Sequence, residues 1–314
     1  MTAALLLTLL GLILLYGGAE GLVRGSSALA LRLGLSPLLV GLTVVAFGTS
    51  SPELAVSVRA ALAGQGDMAL GNVVGSNIAN VALILGVCAL VRPLRVDAQV
   101  VRWDAPVLFG TSVLLVVLLG DRVLGRPEGL GLCAALVAYL ALSVRLARRE
   151  PSPLIHDEFA RALPAAPRRL WAEVLLVLAG LGLLVLGGRF LVSGAVTVAR
   201  GLGLSEAFIG LTVVAVGTSL PELATSLVAA ARGEADLAVG NVVGSNIFNV
   251  LGVAGLASAI HPMTASALSG FDLWTMLAVA AVALPIVWTG HRVSRGEGAL
   301  LALGYCAYVG WLLA

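Results

Sequence analysis

The chain has 314 residues, of which 59% are hydrophobic and 11% are charged, and its mean hydropathy is +1.04. A soluble protein carries about 25% charged residues, so this composition excludes an ordinary soluble domain and indicates a helical protein with several membrane spans. The net charge of +2 gives no indication of nucleic acid as a partner, and no obligatory protein partner is apparent in the sequence.

Apolar runs separated by helix breakers predict ten membrane spans along the chain. The predicted spans cover residues 3–23, 36–63, 67–90, 102–120, 128–147, 171–192, 205–231, 236–260, 272–290 and 297–313. Between the fifth and sixth spans, prolines and charges of both signs without an apolar period predict a short exposed linker. The sequence therefore predicts a first five-helix unit at 1–147, a linker at 148–170 and a second five-helix unit at 171–314.

One stretch of the chain occurs twice. Residues 41–81 and 210–250 align without a gap at a constant offset of 169, and they agree at 29 of 41 positions. Because each half has an odd number of predicted spans, the second half enters the membrane in the opposite sense to the first. We therefore predict an all-α polytopic membrane protein with two inverted-topology repeats, an arrangement that is common in secondary transporters with a midplane binding site.

The distribution of arginine predicts the orientation of the chain. Of the 19 basic residues, fourteen fall in the linker and in the loops after the first, third, seventh and ninth spans, and five fall on the other side. Arg and Lys collect on the cytoplasmic side of a membrane. The linker is therefore predicted to be cytoplasmic and both termini to lie outside, in a cell (inner) membrane.

Each copy of the repeated stretch carries one acid, Glu53 or Glu222, within an otherwise apolar run. A charge at the bilayer centre costs roughly 2.5–3.5 kcal/mol, so an acid in this position indicates a functional site. With neutral oxygens around them, two carboxylates would neutralise one divalent cation. No Arg or His lies at matching depth in the repeated helices, which argues against an anionic substrate. The structural alternative is that both acids stay protonated and serve packing.

A glycine and a proline interrupt the helix beside each acid. Pro52 has no N–H, so it removes the helical partner of the Gly48 carbonyl and is predicted to kink the second span. Gly217 and Pro221 repeat this break in the seventh span. Freed carbonyls, hydroxyls and carboxylates are the oxygen ligands that hard cations such as Ca²⁺ and Na⁺ prefer.

Polar residues at four-residue intervals line one face of the third span and one face of the eighth. They are Asn72, Ser76 and Asn80 in the third span and Asn241, Ser245 and Asn249 in the eighth. Such residues either form hydrogen bonds between helices or bind an ion. We interpret Asn80 and Asn249 as ion ligands, because a buried acid lies opposite each of them.

The paired motifs, GTSxPE followed by GNxxGSNIxN in both halves, resemble those of the sodium/calcium exchanger family within the cation/calcium antiporters, in its prokaryotic form. The resemblance extends over the whole chain. It implies four ion sites at the membrane midplane between the second, third, seventh and eighth spans. It also implies that the first and sixth helices slide past the rest, which small-residue runs such as Gly17-Gly18-Ala19 and Gly187-Gly188 would permit.

Carried over position by position, the resemblance implies a set of ion ligands. The Ca²⁺ site would comprise Glu53 and Glu222 with backbone oxygens of Thr49 and Thr218, the Na⁺ sites Ser50, Ser76, Ser219 and Ser245 with the carbonyls of Ala46 and Ala215, and the central position Asn80 and Asn249. Many family members carry Asp where this chain has Asn249. Two site carboxylates therefore remain, and the ion coupling, K⁺ dependence and any role of protons are open.

The function implied by the resemblance is exchange of Na⁺ for Ca²⁺ by alternating access, electrogenic and without a cofactor. The nearest alternative is a Ca²⁺/H⁺ antiporter, in which Glu53 and Glu222 would titrate. The serine-lined flanking positions argue against it, since a proton needs only the carboxylates. Inverted repeats disfavour a cation channel, and the lack of an activating His or Lys beside the Ser and Glu residues disfavours an intramembrane enzyme.

Overall fold

The computed structural model describes residues 2–149, 170–201 and 215–312, which are almost entirely helical. The α-helices are α1 (Thr2–Leu33), α2 (Pro37–Val40), α3 (Ala46–Thr49), α4 (Ser51–Leu62), α5 (Gly66–Ile78), α6 (Gly86–Val91), α7 (Ala105–Leu118), α8 (Arg126–Arg149), α9 (Leu170–Gly201), α10 (Ala215–Thr218), α11 (Leu220–Arg232), α12 (Ala235–Phe248), α13 (Gly255–Ile260), α14 (Gly270–Trp288) and α15 (Arg295–Leu312). Wider π-helical turns at Gly41–Val45, Ala79–Leu85, Val100–Asp104 and Asn249–Ala254 and 3₁₀ turns at Leu119–Asp121 and Thr289–His291 join or extend them. Four two-residue strands complete the described part: β1 (Leu94–Arg95), β2 (Val123–Leu124), β3 (Met263–Thr264) and β4 (Arg292–Val293).

Seven helical segments in the described residues are long and apolar enough to cross a membrane, and a bent pair of helices makes an eighth. They are Thr2–Leu33, Gly66–Val91, Val100–Asp121, Arg126–Leu146, Leu170–Val198, Ala235–Ile260 and Gly270–His291, with the pair Pro37–Thr49 and Ser51–Leu62. A membrane protein with several helical spans is thereby confirmed. The predicted linker and the start of the predicted span 205–231 lie outside the described residues, so the count of ten spans and the inversion of the halves stay predictions.

The first and sixth predicted spans are longer in the structure than the sequence indicates. Helices α1 and α9 have 32 residues each, whereas the predicted spans end at 23 and 192. The apolar run of α1 is broken by Glu20 and Arg24, but these charges are paired. Glu20 contacts Arg24 at 2.5 Å and Arg232 of α11 at 2.7 Å, so the helix continues through them.

Helices α1 and α9 pack against each other along their length, and glycines permit the close approach. A Cβ at Gly18 would lie 2.8 Å from the Gly180 carbonyl oxygen and 2.8 Å from the Leu184 nitrogen. A Cβ at Gly187 would lie 2.7 Å from the Leu15 nitrogen. The backbones of the two helices therefore touch where a side chain would separate them, as in other close helix pairs in membranes.

Polar contacts hold the end of α1 to the second half of the chain. Arg32 donates two hydrogen bonds to Glu173 of α9, from Nε at 2.7 Å and from Nη2 at 2.8 Å. Ser27 donates a hydrogen bond to Glu234, which lies between α11 and α12. Burial raises the pKa of the Glu234 carboxyl above its usual range, and the bond from Ser27 partly offsets that rise.

The four strands form two antiparallel pairs, and each pair joins the two halves. In one pair Leu94 lies opposite Val293, and in the other Leu124 lies opposite Met263. Adding the offset of 169 to the residues of β1 gives those of β3, and adding it to the residues of β2 gives those of β4. The repeat therefore maps the strand pair β1–β4 onto the strand pair β3–β2. The connection after the third predicted span thus lies beside that after the ninth, two loops that the predicted topology assigns to the same side of the membrane.

Candidate functional site

The helix that carries each acid is interrupted just before it. Helix α3 ends at Thr49 and α4 begins at Ser51, and the two parts of this span are bent by 45°. Ser50 at the break has φ −84° and ψ 6°, and Ser219 between α10 and α11 has φ −87° and ψ 9°. Both prolines are in the first turn of the following helix, where a missing N–H costs no helical hydrogen bond.

In the first half, a neighbouring side chain satisfies the carbonyl oxygen of Gly48 at the predicted break. The Ser51 hydroxyl donates a hydrogen bond to the Gly48 carbonyl at 2.7 Å, so the protein itself satisfies this oxygen. At the matching position of the second half stands Leu220, which has no hydroxyl and cannot repeat that bond to Gly217. The two breaks are therefore alike in backbone but differ in the side chain beside them.

The two acids are buried together with serines from the opposite half. Glu53 and Glu222 each expose about 1% of their surface. Ser50 donates a hydrogen bond to Oε1 of Glu222 at 2.8 Å, and Ser219 donates one to Oε1 of Glu53 at 3.4 Å. The repeat offset converts one contact into the other, so the four residues form one site with approximate two-fold symmetry.

Asparagines of α5 and α12 tie the broken helices together around the acids. The Thr49 hydroxyl donates to Oδ1 of Asn241 at 3.1 Å, and the Thr218 hydroxyl donates to Oδ1 of Asn72 at 3.4 Å. The amide of Asn241 in turn donates to the backbone oxygen of Glu222 at 3.4 Å. Asn72 and Asn241 thus form hydrogen bonds between helices, which was one of the two roles open to them.

The remaining residues assigned to flanking ion sites lie around the same centre. Ser76 is buried, and its hydroxyl oxygen is 3.3 Å from that of Ser219. Ser245 is fully buried, and its hydroxyl has no hydrogen-bond partner among the described residues. The Ala46 carbonyl accepts from the Ser50 N–H at 3.0 Å, and Ala215 is the first residue of α10.

Asn80 and Asn249 both lie in π-helical turns that follow α5 and α12. Such turns inside helices are frequent at functional sites, because they shift side chains out of the regular helical position. Both residues are about 1% exposed. The Asn249 amide nitrogen donates to Oδ1 of Asn77 at 3.2 Å, whereas neither amide atom of Asn80 has a partner within the described ranges.

In the described part of the chain, five buried side-chain oxygens of the residues assigned as ion ligands have no hydrogen-bond partner. They are Oε2 of Glu53, Oε2 of Glu222, Oδ1 of Asn80, Oδ1 of Asn249 and the hydroxyl oxygen of Ser245. An unsatisfied buried polar group costs about 1–3 kcal/mol, so five together would be a heavy penalty without a ligand. All five are oxygens of the kind that bind Na⁺ and Ca²⁺, and the residues present therefore fit such an ion as substrate.

The charges of the site suit a cation. The ion pairs of the described residues join Arg24, Arg32 and Arg232 to Glu20 and Glu173, and none involves Glu53 or Glu222. Within the described ranges no three His, Cys, Asp or Glu residues come together as a metal cluster. Any ion held here would depend on hydroxyl and amide oxygens as well as the two carboxylates.

Three residues that the motifs did not single out hydrogen-bond to the asparagines described above. Ser57 and Ser226 accept hydrogen bonds from Asn72 and Asn241 at 3.0 and 2.9 Å. Asn77 is the partner of Asn249. Each of the three has the same residue type at the position 169 residues away in the other half, and this identity was the signal that could have singled them out.

Comparison with known proteins agrees with the geometry. The family model described as "Sodium/calcium exchanger protein" matches residues 3–145 and 172–314. Among curated relatives, the inner membrane protein YrbG of Escherichia coli is 37% identical over 99% of this chain and 97% of its own. The sodium/calcium exchanger MaX1 of Methanosarcina acetivorans is 32% identical over 98% of both chains.

Solved structures give the same result. The sodium-calcium exchanger NCX_Mj, soaked with 2.5 mM Na⁺ and 0.1 mM Ca²⁺, superimposes with a TM-score of 0.84 at 28% identity, covering 98% of this chain and 97% of its own. The same exchanger soaked without Na⁺ and Ca²⁺ gives a TM-score of 0.85. The family match covers more than half of the chain, and the buried site of two acids with serine and asparagine oxygens fits a transported cation. This chain therefore belongs to the sodium/calcium exchanger family, whose members are transporters and not enzymes.

Proposed function

We propose that the chain is a secondary antiporter that exchanges Na⁺ for Ca²⁺ across the cell membrane by alternating access. Glu53 and Glu222 would hold Ca²⁺, together with backbone oxygens of Thr49 and Thr218. Ser50, Ser76, Ser219 and Ser245, with the carbonyls of Ala46 and Ala215, would provide the flanking Na⁺ positions, and Asn80 and Asn249 the central one. No cofactor is required, because the ions are the substrates.

The single observation that supports this proposal most is that five oxygens of the residues assigned as ion ligands, one from each acid among them, are buried without a hydrogen-bond partner in the described residues. Two buried carboxylates repel each other when both are ionised, and a divalent cation between them would remove that repulsion. The same oxygens can serve several Na⁺ in place of one Ca²⁺. Because both cannot be present together, binding of one ion releases the other, which is exchange.

Serine hydroxyls distinguish this proposal from exchange of Ca²⁺ for protons. A titrating carboxyl needs no further ligand, yet Ser245 is fully buried with an unpartnered oxygen, and Ser76 lies within 3.3 Å of Ser219. A buried hydroxyl without a partner is unfavourable unless an ion uses it. Na⁺ as the counter-ion gives the Ser245 hydroxyl a role, whereas a proton leaves it without one.

Transport into proteoliposomes tests the proposal. Vesicles loaded with Na⁺ and diluted into Na⁺-free medium should take up radioactive Ca²⁺, and an inside-positive potential should accelerate the uptake if net charge moves with Na⁺. The potential supplies about 2.3 kcal/mol per charge at 100 mV. Parallel vesicles that carry only a pH gradient should take up little Ca²⁺. Uptake driven by the pH gradient alone would instead establish Ca²⁺/H⁺ exchange.

We further propose two inverted five-helix units, 1–147 and 171–314, joined by a cytoplasmic linker at 148–170, with both termini outside in the cell (inner) membrane. The two family matches begin and end at positions related by the offset of 169, which supports a repeat of whole units. The exchange of strand pairs by the same offset supports the inversion, since each pair joins loops that the topology assigns to one side.

A further inference from the structure

The amide of Asn249 has a fixed direction, and a residue outside the assigned ion ligands sets it. Nδ2 of Asn249 donates to Oδ1 of Asn77 at 3.2 Å, while Oδ1 of Asn249 has no partner. The Asn77 amide nitrogen in turn lies 4.0 Å from the sulfur of Met276 on α14. The three side chains form a short chain of contacts that ends at the unpartnered oxygen of Asn249.

This direction matters because an amide is not symmetric towards a cation. The oxygen is an acceptor with two lone pairs, whereas the NH₂ group carries two donors and repels a positive ion. If Asn249 turned over, its oxygen would face the oxygen of Asn77, and its NH₂ group would face the site. If Asn77 turned over as well, it would lose its donation to the Met276 sulfur. The observed direction is therefore the favourable one.

The second half does not repeat this arrangement. Asn246 matches Asn77 at the repeat offset and is equally buried, with 3% of its surface exposed for each. Its amide nitrogen donates to the Val242 carbonyl of its own helix at 2.7 Å. In the described part of the chain, Asn80 consequently has no neighbour that fixes its amide. Only one of the two central asparagines is oriented in advance.

We propose that Asn77 is a positioning residue for ion binding, which acts by holding the Asn249 oxygen towards the transported cation. The inference rests on the proposed function, since it needs Asn249 to be an ion ligand. A carboxylate at position 249 would present two equivalent oxygens and need no such partner. The positioning role of Asn77 is therefore needed only because position 249 of this chain is an asparagine.

Calcium binding to the purified full-length protein, measured by calorimetry, tests the proposal, with Asn77→Ala compared against Asn246→Ala. Loss of one orienting hydrogen bond should weaken Ca²⁺ binding about threefold to tenfold in Asn77→Ala. Asn246→Ala removes the same side chain at equal burial but leaves Asn249 oriented, so its affinity should stay within about twofold of the wild type. Equal losses in both variants would overturn the proposal and indicate packing alone.

A double-mutant cycle separates positioning from packing. In an Asn249→Asp background, either oxygen of the new carboxylate can face the ion, so adding Asn77→Ala should change Ca²⁺ affinity by less than about twofold. A packing defect at position 77 would instead weaken binding equally in both backgrounds. Full additivity of the two substitutions would therefore contradict the proposal.

Asn77→Asp keeps the test valid if Asn77→Ala does not fold. The aspartate is nearly isosteric, retains an oxygen that accepts from Asn249, and adds a charge that attracts cations. Its Ca²⁺ affinity should match or exceed that of the wild type, and a clear loss would show that Asn77 does not act as an acceptor. If the wild type itself binds no Ca²⁺, the proposed function fails. If the wild type binds Ca²⁺ and Asn77→Ala binds it equally well, only the positioning role fails.

Discussion

At the scale of single residues, the site is held by contacts that cross between the halves. Each acid has one oxygen bound by a serine of the opposite half, and its other oxygen has no partner. The serines therefore fix the direction of the carboxylates without using up their capacity to bind an ion. A group of this kind is organised before its ligand arrives, which lowers the cost of binding.

Neutralising either acid should weaken Ca²⁺ binding strongly. We expect Glu53→Gln and Glu222→Gln to remain folded, because glutamine keeps an oxygen that accepts from Ser219 or Ser50, but to bind Ca²⁺ at least tenfold more weakly, about 1.4 kcal/mol. Calorimetry on the purified protein measures the change. Asp104→Asn is the matched control: Asp104 is also about 1% exposed, but Tyr139 and Gln99 bind both its oxygens, at 3.0 and 3.3 Å. Unchanged affinity in the glutamine variants would refute the role of the two acids.

The sequence singled out Glu53 and Glu222, which the structure buries, for a physical reason. An acid in an apolar run has so high a cost that it stands out without any structure. The amide network could not be predicted in the same way. Asn77 and Asn246 occupy identical motif positions, yet one bonds across to Asn249 and the other to its own helix. Side-chain direction of this kind depends on packing between halves, which a local motif does not contain.

At the scale of elements, the pair α1 and α9 stands apart from the helices that hold the site. The predicted ends of both helices were too early, and in α1 the reason is that Glu20 and Arg24 lowered the local hydropathy while ion pairs compensated their charges. The small-residue runs predicted to permit sliding divide into two kinds. Gly18 and Gly187 face the partner helix, whereas Gly17 has open space around it. Whether the pair slides stays a prediction.

Two neighbouring glycines of α1 should respond differently to the same substitution. Gly18→Leu forces a side chain against the backbone of α9, and overpacking of this kind costs about 1–3 kcal/mol. Gly17 is exposed and has no atom within 4 Å of its Cβ position, so Gly17→Leu should be tolerated. Thermal unfolding in detergent measures the difference. A lower unfolding temperature for Gly17→Leu than for Gly18→Leu would contradict the close packing of Gly18 against α9.

At the scale of the whole molecule, the predicted arrangement rests on which loops share a side of the membrane. The structure pairs β1 with β4 and β2 with β3. The loops that contain β1 and β4 therefore lie together, and so do the loops that contain β2 and β3. The hydropathy pattern located the spans, because burial in lipid requires long apolar runs. It could not show that short strands would connect distant loops, since two-residue strands have no recognisable period.

Thiol labelling in sealed vesicles tests the inverted topology. In a variant without Cys88, Cys133 and Cys306, single cysteines replace exposed residues of the strands, which are Arg95, Val123, Thr264 and Arg292. An impermeant reagent should reach the positions of β1 and β4 from the cytoplasmic side and those of β2 and β3 from the outside. Labelling of all four from one side would exclude the inverted arrangement.

The exchange of strand pairs between halves has a consequence for how the protein is made. When the first half has been synthesised, β1 and β2 have no partners, because β4 and β3 belong to the second half. The face of α1 that carries its glycines likewise has no packing partner until α9 has been synthesised. Insertion can precede assembly, but the first half reaches its final packing only after β4 emerges near the end of the chain. A protein arrested between the halves would therefore expose unpaired strand edges, and we expect cellular quality control to recognise it.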